Sequence, residues 1–119
     1  MKVLIVDDSK AMRLIVGRTL KQAGLPDLTI VEATNGADAL EKIEAGAPDF
    51  VLSDWNMPEM NGIDLLREVR KRGCQVKFGF VTSESSPETH AMATEAGAAF
   101  VVTKPFSPET LQDAFEKAA

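Results

Sequence analysis

Acidic side chains stand at two points of the sequence where short apolar runs end. Asp7 and Asp8 directly follow residues 2–6, and Asp54 directly follows residues 50–53. Two carboxylates about 4 Å apart repel each other by roughly 4 kcal/mol at an effective dielectric constant of about 20. Carboxylate oxygens are ligands for Mg²⁺ and Mn²⁺, and no histidine or cysteine lies close to them in the sequence. If the fold brings the three acids together, the sequence predicts a bound Mg²⁺ ion, with Mn²⁺ as the alternative.

Hydroxyl groups and a lysine follow two further apolar runs. Thr82 and Ser83 come after residues 76–81, and Lys104 with Pro105 comes after residues 100–103. Lysine carries a compact, strongly hydrated charge that can contact a phosphoryl oxygen, and it can offset part of the charge of an acidic cluster.

The apolar runs alternate with longer segments of helical period, which is typical of repeated βα units and a parallel sheet. In such a sheet, ligands bind outside the carboxyl ends of the strands. The polar residues are therefore predicted to share one edge of an α/β fold. The five predicted strands are Lys2–Val6, Leu28–Glu32, Phe50–Ser53, Val76–Val81 and Phe100–Thr103.

Five helices are predicted between and after the strands. Four have a clear apolar stripe, and the fourth, over Glu88–Ala96, has only a weak alanine-rich face, so we expect it to be the least firmly docked. Ser86 and Ser107, each followed by proline and glutamate, are predicted N-caps. Left-handed C-caps are predicted at Gly24, Gly46, Gly73 and Gly97.

Composition limits the classes of function. The 119 residues fit one domain, 1–119, and the net charge of −5 disfavours nucleic acid as a partner. Cys74 is the single cysteine, which excludes an internal disulfide and favours a reducing compartment. The apolar run at the start is too short for a signal peptide or a membrane span. We therefore expect a soluble cytoplasmic protein without a membrane partner.

Four motifs occur in order, each after a predicted strand: Asp7-Asp8, Asp54-Trp55-Asn56-Met57-Pro58, Thr82-Ser83 and Lys104-Pro105-Phe106. Together they resemble the receiver domain of two-component response regulators, and the resemblance covers essentially the whole chain. It implies a doubly wound, flavodoxin-like α/β fold: a five-stranded parallel sheet of strand order 2-1-3-4-5, flanked by five helices. It also suggests a cis peptide bond before Pro105.

The resemblance implies that Asp54 is the phosphorylation site and accepts a phosphoryl group from a phosphohistidine of a histidine kinase. Asp8, Asp54 and the main-chain carbonyl of Asn56 would hold the Mg²⁺ ion, with Asp7 supporting them directly or through water. Lys104 would contact a phosphoryl oxygen, and the Thr82 hydroxyl would turn toward another after phosphorylation.

The family also implies a type of protein. We expect a stand-alone, monomeric signalling module, not an enzyme, that assists its own phosphorylation and dephosphorylation, with chemotaxis as the favoured pathway. A downstream protein would bind through the fourth helix, fifth strand and fifth helix. Asn56 and Glu84 occupy positions where the family tunes the lifetime of the phosphoryl group.

One position departs from the family pattern. Receiver domains place an aromatic ring three residues before the lysine, where this chain has Val101. The neighbouring Phe100 should point to the opposite face of the sheet. Either the strand is shifted by one residue, or the chain lacks the aromatic switch.

Several other interpretations compete. An aspartyl-phosphate-type phosphatase also uses an acid, Mg²⁺ and lysine, but it would place its nucleophile after the first strand and an acid, not Asn56, two residues later. Flavin binding would require a phosphate loop where Asp7 and Asp8 repel phosphate. The two acids could instead cap the first helix, and His90 is expected to be a solvated residue. Trp55 and Met57 are expected to be partly exposed.

Overall fold

The computed structural model describes residues 1–84 and 86–118. The strands and helices alternate along the chain, and the five strands form one parallel sheet in the order β2-β1-β3-β4-β5. This confirms the predicted fold class. The elements are β1 (Lys2–Val6), α1 (Lys10–Gln22), β2 (Thr29–Ala33), α2 (Gly36–Gly46), β3 (Phe50–Asp54), α3 (Gly62–Lys71), β4 (Lys77–Thr82), α4 (Pro87–Ala96), β5 (Phe100–Thr103) and α5 (Pro108–Ala118).

The sheet has an apolar layer on each face, because successive side chains of a strand point to opposite sides. On β1, Leu4 and Val6 face the core shared with α2, α3 and α4, whereas Val3 and Ile5 face α1 and α5. All four side chains are buried, as expected for a strand that is covered on both sides. Within the described residues, no helix is both long and apolar enough to cross a membrane.

Five strand boundaries differ from the prediction; two of them are the end of β2, at Ala33 and not Glu32, and the start of β4, at Lys77 and not Val76. β3 extends through Asp54 and β4 through Thr82, since Asp54 is opposite Val81 and Thr82 is opposite Thr103 in the sheet. Both polar residues therefore end their strands instead of following them. β2 begins at Thr29 and not at Leu28, because its register places Thr29 opposite Lys2 of β1.

The helix termini follow the capping signals with one exception. The Ser86 and Ser107 hydroxyls accept the predicted bonds from the Thr89 and Thr110 N–H groups. Gly24, Gly73 and Gly97 have the predicted positive φ angles. The prediction for Gly46 is wrong: α2 continues through it, and Ala47, at φ 40°, takes the left-handed position while its N–H bonds to the Ile43 carbonyl.

The fourth helix has the weak buried face that the sequence predicts. Only Thr89 and Ala93 are buried along α4. Its C-terminal end is held from outside the helix, because the Arg70 guanidinium donates hydrogen bonds to the carbonyls of Gly97 (3.0 Å), Cys74 and Val76. Burial lowers the pKa of Arg70 from its ordinary value. Arginine thus fixes one end of a helix whose side chains contribute little to the core.

An aromatic cluster fills the α1–α5 side of β5. The Phe100 ring stacks on Phe50 at a centroid distance of 5.5 Å and also contacts Phe115. It lies over Gly79 of β4, where an added Cβ atom would be 2.5 Å from two atoms of the ring. Glycine is therefore the residue that leaves room for this ring. Val101, the next residue, packs on the other face of the sheet, in the core shared with α2, α3 and α4. β5 is therefore not shifted by one residue.

We predict that Gly79→Ala lowers the free energy of unfolding by about 1–3 kcal/mol, because the new methyl group overpacks the Phe100 ring. The loss should be smaller in a Phe100→Val background, where the ring is absent. Thermal unfolding of the wild type, the two single variants and the double variant measures the coupling between the two positions. An equal loss in both backgrounds would contradict the proposed contact.

Candidate phosphoacceptor and metal site

The sheet register brings the first acidic motif beside the second. Val6, at the end of β1, is opposite Ser53 of β3, so the next residues along the two strands are Asp7 and Asp54. Each of Asp7, Asp8 and Asp54 offers a carboxylate oxygen, and these three oxygens lie within 4.8 Å of one another. The carboxyl edge of the sheet thus brings together the three acids singled out in the sequence.

Asp7 is the most deeply buried of the three acids. Its Oδ1 atom accepts a hydrogen bond from the Ser9 N–H (2.9 Å), and the Lys104 ammonium lies 3.8 Å from its Oδ2 atom. Burial raises the pKa of Asp7 above its usual value; the Ser9 bond opposes this, while the charge of Asp54 adds to it. Ser9 is the residue that caps α1, through its bond from the Met12 N–H. The interpretation of the acids as helix caps is therefore wrong.

Both the carboxylate and the main-chain carbonyl of Asp54 accept hydrogen bonds. Its Oδ1 atom accepts bonds from the Trp55 N–H (2.9 Å) and the Lys104 ammonium (3.3 Å), and its carbonyl accepts a bond from the Ser53 hydroxyl. Lys104 therefore reaches the acidic cluster as predicted, at the end of β5. The Lys104–Pro105 peptide is cis, which confirms that expectation.

The start of α3 lies directly against Asp54. The Gly62 N–H donates to the Trp55 carbonyl, and a Cβ atom at Gly62 would be 2.2 Å from the Asp54 carbonyl oxygen. Gly62 therefore allows the main chain of α3 to support the candidate phosphoacceptor. Sequence reasoning missed this role, although the Asn61-Gly62 pair is a turn signal.

Thr82 and Asn56 lie at the same edge but are bonded to other groups. Thr82 is fully buried, and its hydroxyl oxygen accepts a bond from the Glu84 N–H (3.0 Å). The exposed Asn56 amide donates to the Glu84 carboxylate at 3.3 Å. The predicted metal ligand of Asn56 is its main-chain carbonyl, and that assignment stays a prediction.

The loop after Asp54 corrects one expectation from the sequence. Trp55 and Met57 are both buried, not partly exposed. The Trp55 ring meets the Phe80 ring edge-on at 4.8 Å, and both residues belong to the core beneath α2, α3 and α4. Tertiary contact with this core overrides the polar local sequence of the loop.

The chemistry of the acidic cluster fits Mg²⁺ or Mn²⁺. Its donor atoms are carboxylate oxygens without an imidazole or thiolate among them, which matches these hard cations. Lys104 supplies one positive charge against three carboxylates, which leaves a net negative cluster when all three are ionised.

Comparison with known proteins identifies the family. A response regulator receiver domain model matches residues 3–116. The chain belongs to the response regulator receiver domain family. The receiver domain is 41% identical over 119 residues to the chemotaxis protein CheY1 of Helicobacter pylori, with 98% of this chain and 94% of the relative covered. It is 40% identical to the chemotaxis protein CheY of Pseudomonas aeruginosa, with the same coverage.

Solved structures agree with this assignment. The receiver domain superimposes on Vibrio cholerae CheY4 with a TM-score of 0.88 at 35% identity, covering 99% of this chain and 98% of the other. The receiver domain of the response regulator NarL from Mycobacterium tuberculosis superimposes with a TM-score of 0.87 at 30% identity, covering 98% of this chain and 94% of the other. The chain is therefore homologous to CheY chemotaxis response regulators, and the phosphatase alternative is not favoured. A receiver domain implies, in general terms, a histidine kinase as phosphodonor and a downstream target.

We predict that Asp54→Asn and Asp8→Asn each raise the melting temperature by a few degrees in chelator, because each removes one of the mutually repelling carboxylates. Glu95→Gln, which neutralises an exposed acid of α4, serves as the control and should cause no change. With saturating Mg²⁺ the gain should shrink or reverse, since the wild type then gains stability from binding. Unchanged or lower melting temperatures in chelator would contradict the repulsion.

The raised pKa of Asp7 predicts a pH dependence in the metal-free protein. The folded chain holds the Asp7 proton more tightly than the unfolded chain, so ionisation of Asp7 lowers stability as the pH rises from the ordinary value of 3.8 through the raised one. Asp7→Asn should therefore be more stabilising at neutral pH than below pH 3.8. Urea unfolding in chelator across this range measures it, and a pH-independent difference between the two proteins would rule it out.

Proposed function

We propose that this receiver domain is phosphorylated on Asp54 by a histidine kinase, in a Mg²⁺-dependent reaction, and acts in chemotaxis signalling. The observation that carries the proposal is the meeting of three carboxylates with Lys104 at the carboxyl edge of the sheet. The proposal for the pathway rests on the similarity to CheY proteins over nearly the whole chain. We propose in addition that residues 1–119 form one domain, which acts as a monomer in the cytoplasm.

Asp54 is the proposed nucleophile. Among the described residues, its hydrogen bonds from Trp55 and Lys104 both reach Oδ1, which leaves Oδ2 as the oxygen that attacks phosphorus. The new bond joins this oxygen to the phosphoryl group, and the electron pair of the breaking P–N bond returns to the imidazole of the donor. Asp54 thereby becomes an acyl phosphate.

The other site residues bind and orient. Asp8, Asp54 and the Asn56 carbonyl would hold the cation, and Asp7 would support them. When bound, Mg²⁺ supplies charge stabilisation for the phosphoryl oxygens in the transition state. Lys104 would contact one phosphoryl oxygen. These groups would also serve dephosphorylation, so the domain would assist both reactions on itself without acting as an enzyme on other substrates.

Asn56 and Glu84 are proposed to control how long the phosphoryl group persists. Their side chains are exposed and joined by a hydrogen bond of 3.3 Å. This bond links the loop that follows Asp54 at the end of β3 to the loop that follows Thr82 at the end of β4. We propose that the pair governs the approach of water to the acyl phosphate.

Intact-mass spectrometry with acetyl phosphate and Mg²⁺ tests the phosphoacceptor. We expect a single phosphoryl adduct on the wild type and none on Asp54→Asn or in chelator. Asp64→Asn, an exposed acid on α3, is the control and should retain the adduct. An adduct that survives in Asp54→Asn would disprove the assignment, and sustained turnover of p-nitrophenyl phosphate would favour a phosphatase.

We propose that α4, β5 and α5 form the output surface, which binds the downstream protein. Thr82 lies on β4 beside β5, and the Thr82 carbonyl accepts a bond from the Lys104 N–H at 2.7 Å, so an inward movement of Thr82 is transmitted to β5. Since Phe100 is held on the other face by Phe50 and Phe115, this response would proceed without an aromatic switch on β5.

Beryllofluoride, which imitates the phosphoryl group, tests this response. We expect amide NMR shifts to change at Thr82, Val101 and along α4, because these groups follow the movement of Thr82. Addition of beryllofluoride to Asp54→Asn is the control and should leave the spectrum unchanged. Changes confined to the Asp8 and Asp54 loops would argue against the proposed output surface.

A further inference from the structure

Arg13 is a mostly buried cation next to the acidic cluster. Its side chain is 11% exposed, and its Nη1 atom donates a hydrogen bond of 2.7 Å to the main-chain carbonyl of Asp7. Its Nε atom donates to the exposed Glu32 carboxylate at 2.9 Å. The Arg13 side chain of α1 thus bonds both to the β1–α1 loop, which carries Asp7 and Asp8, and to β2 at the edge of the sheet.

The Asp7 carbonyl belongs to the peptide group that leads into Asp8. Because a peptide group is planar, a bond that fixes its carbonyl also fixes the direction in which the Asp8 main chain begins. The rest of Asp7 is held separately, by the bond from its N–H to the Ala33 carbonyl and by the bond from the Ser9 N–H to its carboxylate. Arg13 therefore completes the set of bonds that orients this connection.

We infer that Arg13 is a positioning residue for the divalent cation: by holding the Asp7–Asp8 peptide, it keeps the Asp8 carboxylate directed at Asp54. The inference rests on the proposed function, since it assumes that the cluster binds Mg²⁺. Arg13 itself does not touch the ion; it acts through the peptide group of a ligand. Outer groups of this kind commonly change metal affinity by about 10–100-fold when they are removed.

The charge of Arg13 acts in the opposite direction to its hydrogen bond. A cation near the cluster repels Mg²⁺, so its removal would strengthen metal binding if charge were its only contribution. Loss of the positioning bond would weaken binding. The sign of the change in affinity therefore separates the two roles, and a purely structural role would change stability without changing affinity in the folded protein.

Calorimetric titration of Mg²⁺ into the protein, without phosphodonor, tests the inference. We expect Arg13→Met to raise the Kd for Mg²⁺ about tenfold. Arg13→Gln should do the same, because its shorter amide reaches only as far as the Nε atom and keeps the Glu32 contact while losing the Asp7 bond. Glu32→Gln is the matched control: it leaves the Asp7 bond in place, and an exposed, screened charge should change Kd by less than about twofold.

Each outcome decides a separate question. If the wild type binds Mg²⁺ and both Arg13 variants bind it equally or more tightly, the positioning role is overturned. If the wild type itself binds no Mg²⁺, the metal site of the proposed function fails instead. Melting temperatures in chelator show which variants are folded at the titration temperature, and Arg13→Gln carries the test alone if Arg13→Met does not fold.

Discussion

Repulsion among three carboxylates is the constraint around which the functional edge of this protein is arranged. The sheet register forces Asp7 and Asp54 to the ends of adjacent strands, and Asp8 follows on the same connection. One lysine offsets only part of their charge. The metal-free site is thus electrostatically unfavourable, and this same excess of negative charge would attract a divalent cation.

Rigid surroundings allow the protein to maintain such an arrangement. The strands that lead to the acids, β1 and β3, are buried on both faces. The Asp54 carbonyl is in close contact with Gly62 and accepts a hydrogen bond from the Ser53 hydroxyl. The helix that would respond to phosphorylation is less constrained. Thr82 ends its strand, and α4 beyond it buries only two small side chains, so the least stabilised helix lies next to the candidate switch residue.

Local sequence patterns predicted the strands, the helices and the polar residues that meet at one edge of the sheet, whereas the strand order was implied by the resemblance to receiver domains. Continuous apolar runs revealed the strands, and the residues that follow those runs included Asp7, Asp8, Asp54, Thr82 and Lys104. What could not be predicted depends on contacts between distant segments. The burial of Trp55 follows from its contact with Phe80, and the roles of Arg13 and Gly62 follow from bonds and close approaches across the fold. The shift of β2 likewise reflects its register with β1.

A crystal structure of the protein with Mn²⁺, with anomalous scattering recorded at the manganese edge, tests the central claim most directly. We predict one anomalous peak between the carboxylates of Asp8 and Asp54, with Asp7 adjacent to it. Mn–O distances close to the Mg–O distance of about 2.1 Å should accompany the peak. The absence of a peak at that position, at a Mn²⁺ concentration that saturates binding in solution, would contradict the account.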